Sequence, residues 1–117
     1  MSELWRLPGY EISELVRSKQ ISAVEVTKVH LDRLKEVNPK LNAVVQEMPD
    51  EAIEDAKEID RKIEIGKDPG ILCGVPLTIK VLADQKGFAT TNGLKIQKDL
   101  IATTDSPIVS NVKKAGA

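Results

Sequence analysis

An aliphatic run broken by one ammonium group, Val75-Pro-Leu-Thr-Ile-Lys-Val-Leu82, restricts how this chain can fold. Alternation places Thr78, Lys80 and Leu82 on one face and Leu77, Ile79 and Val81 on the other. The run reads as a buried strand, and a lysine inside it needs an explanation. One is structural: an edge-strand lysine that discourages pairing between sheets, or a buried stem whose charged head reaches water. The other is chemical: a partly buried amine, held neutral by desolvation, that serves as a base. Spacing alone leaves both open. A large fold offsets the cost of desolvating an amine more comfortably than a 117-residue piece does.

Helical signals surround this run. Ile12, Leu15 and Val16 recur at helical spacing within Glu11–Lys19, which predicts a short first helix. Ser22 followed by Glu25 is a capping box that opens a second helix. Val26, Val29, Arg33 and Val37 share one face of it, Leu31 and Leu34 widen the stripe, and Asn38-Pro39 is expected to end it. Leu41–Gln46 reads as a short strand. A third helix opens at Pro49-Asp50 with Asp50 as N-cap and buries Ile53, Ala56, Ile59 and Ile63. Glu58 and Lys62 are spaced for an ion pair, and Gly66 is placed to end the helix. Gly66–Gly70 is a turn, and Gln85–Gly93 an irregular loop. Asp105-Ser-Pro107 then starts a last helix that Gly116 terminates. Helices alternating with strands make an α/β arrangement.

Composition narrows the function. Basic and acidic residues number 17 and 18 and are interspersed, so no basic stripe invites nucleic acid. No apolar run approaches the ~20 residues that span a bilayer. The start, Met1-Ser-Glu-Leu-Trp-Arg, lacks the order of a signal peptide, which predicts a cytoplasmic protein. Cys73 is the one cysteine, read as a small buried hydrophobe. It permits no internal disulfide and no thiolate metal site, and no metal or cofactor is expected. His30, the one histidine, falls on the second helix with no serine indicated as a partner and is read as structural. Asp84 is read as a turn residue or as a brace for the lysine loop. Thr90, Thr91, Asn92 and Gly93 suit a turn or the border of a substrate pocket.

Gly74-Val-Pro-Leu-Thr-Ile-Lys80, Gly87, Thr90-Thr-Asn-Gly93 and Asp105-Ser-Pro107, taken in this order and spacing, resemble the N-terminal region of the amidase signature family. Ser22-Ala-Val-Glu25 and Asn38-Pro39 before Leu41-Asn42-Ala43 extend the similarity, which runs from about Ile12 to Ala117. The resemblance implies a serine hydrolase of amides on a mixed sheet with helices on both sides. Residues 1–117 would be the N-terminal part of that one domain: a mostly helical lead-in over 1–65, then a strand, loop and helix over 66–117. The family's catalytic set is a nucleophilic serine, a second serine with a cis peptide bond, and a lysine in the element that maps onto Lys80. Lys80 would take a proton from the bridging serine as that serine deprotonates the nucleophile. Two positions depart from the family: Val81, where Asp is common, and Leu94, where Ser is frequent. They bear on hydrogen bonding around the site, and neither is the base.

Both serines are expected downstream, since Ser2, Ser13, Ser18, Ser22, Ser106 and Ser110 all lie outside any Gly-Ser-Ser-like loop. The resemblance therefore implies a fragment that is inactive alone, whose partners are a small-molecule amide and the missing C-terminal portion of its own fold. Two alternatives stand beside the hydrolase: an amidotransferase subunit releasing ammonia for a partner enzyme, and a non-catalytic interaction module. The open strand edge predicts marginal stability or self-association, as a homodimer, for the isolated piece.

Overall fold

A computed structural model describes residues 3–117; Met1 and Ser2, which open the segment read for a signal peptide, lie outside it. Four helices form: α1 (Gly9–Arg17), α2 (Ala23–Leu41), α3 (Pro49–Glu64) and α4 (Pro107–Lys114). Short 3-10 turns occupy Leu4–Arg6 and Lys95–Gln97. The chain divides into two compact units, one running through Pro76 and including Ala115–Ala117, the other Leu77–Lys114.

The first unit is built on aliphatic contacts. Ile12 and Val16 of α1, Ala23 and Val26 of α2, and Ala56 and Ile59 of α3 bury together with Leu4, Cys73 and Val75. Helix α1 ends as its αL residue Lys19 (φ 61°) lets Gln20 N–H donate to Leu15 O at 3.0 Å. The Ser22–Glu25 capping box forms in both directions. Asp60 of α3 completes that cap by accepting from Ala23 N at 2.7 Å and Val24 N at 3.2 Å. Every amide in the first turn of α2 thus has a partner, and the two helices are tied by charge-assisted bonds. Helix α3 closes at Gly66 (φ 74°), with Lys67 N donating to Lys62 O at 2.9 Å and Gly66 N to Ile63 O at 3.2 Å. At the other end of the unit, the C-terminal residues return to the frame: Leu72 N donates to Ala115 O at 2.7 Å and Gly74 N to Gly116 O at 2.9 Å.

Several expectations need correction. Helix α2 continues past Asn38-Pro39 to Leu41. The Asn38 side chain makes this work, accepting from Ala43 N and Val44 N at 3.0 Å each and donating to Val44 O at 2.8 Å. The same bonds remove the expected strand at Leu41–Gln46, because they occupy backbone groups that a ladder would use. The N-cap of helix α3 falls two residues earlier than read, at Met48, with Pro49 in the first turn, where its missing N–H costs nothing. Asp50 instead lies in that turn, favourably placed for the helix dipole. Glu58 pairs with Arg61 at 2.6 Å, a closer match to its planar fork than Lys62 offers.

The buried strand at Val75–Leu82 is also absent. Residues 75–80 carry no regular structure, and Val81 and Leu82 lie in a turn. Among the described residues there is no strand, and the one β-bridge is antiparallel, between Ala89 and Ile101. A strand exists only as one side of a ladder, and nothing among the described residues pairs with the run. The α/β and mixed-sheet expectation is therefore met here in its helical half only.

Candidate functional site

Lys80 belongs to the second unit. Its carbonyl accepts from Ala83 N at 2.9 Å, so the chain turns directly after the lysine. The side chain is exposed, contrary to the expected partial burial, because no neighbouring strand covers the segment. Its ammonium has no hydrogen-bond or ion-pair partner among the described residues.

The loop that follows is fixed at several points. Asp84 Oδ1 accepts from Thr90 Oγ1 at 2.5 Å, and Asp84 O accepts from Ser106 N at 2.9 Å. Asp105 Oδ1 accepts from Lys86 N at 2.8 Å, and its Oδ2 from Lys113 Nζ at 3.2 Å. The Lys86 backbone N–H, followed by the Lys113 ammonium, holds the Asp105 carboxyl below its ordinary range. Ser106 Oγ accepts from Val109 N at 3.4 Å and so caps α4, at the helix start read from Asp105-Ser-Pro107. Further along, Ala102 N donates to Phe88 O at 2.9 Å and Thr90 N to Leu100 O at 3.0 Å. Between these, Thr91–Leu94 closes a tight turn with positive φ at both Asn92 and Gly93.

Each candidate can now be placed. Asp84 grips Thr90, which is buried, while Asn92 and Gly93 form the turn. The reach of Asp105 back to Lys86 was missed, since only a cap is legible locally. His30 Nδ1 bonds Val26 O at 2.8 Å within its own helix, a structural role. Cys73 is buried and its thiol donates to Ser13 O at 3.3 Å. Surface depressions of about 420 and 230 Å³ are lined by the first unit alone, and neither includes Lys80. Among the described residues no group of three or more His, Cys, Asp or Glu is placed to hold a metal ion. No helix among them is long and apolar enough to cross a membrane.

Little of the second unit's apolar surface is covered. Val109 is its one buried hydrophobic residue, whereas Leu77, Leu82, Leu94, Leu100, Ile101 and Ile108 are exposed and Ile96 is 90% exposed. Contiguous exposed apolar surface marks an interaction site, a ligand groove or an aggregation-prone face.

A family model described as Amidase matches residues 25–117. The chain belongs to the amidase signature family. It is 44% identical over 114 residues to an indoleacetamide hydrolase of Bradyrhizobium diazoefficiens, covering 97% of this chain and 22% of that protein. A glutamyl-tRNA(Gln) amidotransferase subunit of Carboxydothermus hydrogenoformans is 42% identical, with 98% of this chain and 24% of the relative covered. A solved bacterial aryl acylamidase of the amidase signature family superposes with a TM-score of 0.90 at 35% identity, over 95% of this chain and 24% of its own. The chain thus spans about a quarter of the length of the amidase relatives it matches. The family resemblance read from the sequence stands, and the relatives of this chain include both amide hydrolases and amidotransferase subunits.

Proposed function

We propose that the whole protein hydrolyses carboxylic amides and that Lys80 is the terminal base of its serine–serine–lysine relay. The observation that carries this reading is the match to amidase-family proteins over nearly the whole chain, a span that includes residues 74–80. An ammonium with no internal partner, at the start of a loop fixed by Asp84 and Asp105, supports it. In this reading the neutral Lys80 amine takes the bridging serine's proton while that serine takes the nucleophile's. The nucleophilic oxygen bonds to the carbonyl carbon, the C–N bond breaks, and the proton returns to the leaving amine. Water then releases the acid through the same relay.

The serines, the sheet that would flank residues 75–82 and most of the substrate pocket belong to residues outside this chain. The same residues would cover the apolar surface of the second unit and lower the exposure of Lys80. On its own the 117-residue chain is expected not to turn over amides. The protein is read as cytoplasmic. A second reading, an amidotransferase subunit releasing ammonia to a partner enzyme, rests on the 42% identity to such a subunit.

The test is amide hydrolysis by the protein extended to the length of its relatives. Lys80→Ala is expected to lower kcat by at least about 100-fold, the scale of a lost general base. Turnover equal to the parent's would refute the role. Hydrolysis that needs a co-purifying tRNA-binding partner would favour the amidotransferase reading.

A further inference from the structure

Three features of the second unit converge on one residue, Asp84. Asp84 is the first residue beyond the Lys80–Ala83 turn, so its backbone position sets where that turn leaves the lysine. Its side chain is held by Thr90, a buried residue whose own amide bonds Leu100 O. Its carbonyl is held by Ser106 N at the start of α4. The same two segments are joined a second time in the opposite sense, by Asp105 accepting from Lys86 N. A lysine ammonium sits on a flexible four-carbon stem, so the place of its backbone bounds where it can reach, and a displacement of ~1 Å at a reacting group can cost about 100-fold in rate.

We infer that Asp84 is a positioning residue for Lys80, acting through its bond to the Thr90 hydroxyl. The inference rests on the reading of Lys80 as the base. Asp84 touches no reacting atom in this role. It fixes the turn that presents the amine, and Thr90 carries that restraint into the ladder between Phe88–Thr90 and Leu100–Ala102. A turn residue that serves folding alone would make a different prediction, since its loss lowers stability but leaves the folded enzyme's rate unchanged.

The experiment uses the full-length protein and a simple carboxylic amide. Asp84→Ala and Thr90→Val are each expected to lower kcat by about 10- to 100-fold with KM little changed. The double variant is expected to be no worse than the weaker single, because both remove one bond. Thr90→Ser keeps the hydroxyl and should restore kcat. The acidic limb of kcat/KM, which reports protonation of the base, should move in Thr90→Val and return in Thr90→Ser. Should Asp84→Ala fail to fold, the near-isosteric Thr90→Val and its serine rescue decide the matter. Folded single variants with parental kcat and pH profile would overturn the inference, as would effects that multiply in the double variant. Lys80→Ala run in parallel separates the two levels. If it alone is impaired, only the positioning role fails; if it turns over like the parent, the reading of the base fails.

Discussion

Substituting alanine at Gly116 should damage the first unit out of proportion to the size of a methyl group. Gly116 sits at φ 92°, and a Cβ there would lie 2.0 Å from Pro69 O and 3.1 Å from Cys73 Cα. Gly66 supplies the control, since at φ 74° its added Cβ meets nothing within 4 Å. Both variants carry the left-handed strain of an L-residue, about 1–2 kcal/mol. Only Gly116→Ala must also push the C-terminal residues off the frame. That breaks Leu72 N to Ala115 O and Gly74 N to Gly116 O, each with a net value of about 1 kcal/mol. The expected loss is roughly 3–4 kcal/mol for Gly116→Ala against about 1–2 for Gly66→Ala. Urea unfolding followed by circular dichroism gives the total. Native-state hydrogen exchange at Leu72 and Gly74 gives the local part, expected to accelerate by roughly 30-fold for about 2 kcal/mol. Equal losses in the two variants, or unchanged exchange at those two amides, would refute the steric account.

Asp60→Ala should cost about 2–4 kcal/mol, because it strips two charge-assisted bonds from the N-terminus of α2. The urea midpoint measures it, and a loss below about 0.5 kcal/mol, the scale of an ordinary surface substitution, would show that water replaces the carboxylate. Acid should loosen both units. Ser22, through its backbone N–H and then its hydroxyl, lowers the Glu25 pKa, and Lys86 N–H does the same for Asp105. A depressed folded-state pKa stabilises above the ordinary carboxylate range, and that contribution disappears as pH falls through the folded value. Glu25→Gln should therefore flatten the acid dependence of the midpoint; an unchanged slope would remove the capping box from the account.

What the sequence made legible was what depends on near neighbours along the chain. The Ser22–Glu25 box, the Gly66 terminus and the Ser106 cap all lie within a few residues of the groups they satisfy, and each formed as read. Asp60 capping α2 was not legible, because its partners lie 36 and 37 residues away. Asn38 misled for a related reason. The rule that a residue before proline leaves the helix assumes a free backbone, and here the asparagine side chain holds the following turn in place. The Val75–Leu82 run failed as a strand since strand formation is a property of pairs, and one member cannot show whether the other is present. Lys80 stands out in the sequence as a charge within an apolar run, and its spacing left edge protection and catalysis both open. The order of surrounding motifs favoured a chemical role, and the positioning proposed for Asp84 is the physical form such a role would take.

The return of Ala115–Ala117 to Leu72 and Gly74 makes Leu77–Lys114 a closed excursion from the helical frame. In polymer terms the ends are pinned by bonds that belong to the frame, so the entropy of closure is lost once, at the base. That entropy rises only with the logarithm of the excursion's length, by about 0.6 kcal/mol for each doubling. Residues can be added or lost at the Asn92-Gly93 tip with little effect on the frame, provided the bonds of Asp84 and Asp105 survive. The segment carrying the lysine is thus free to diversify in length and lining while its anchorage stays constant.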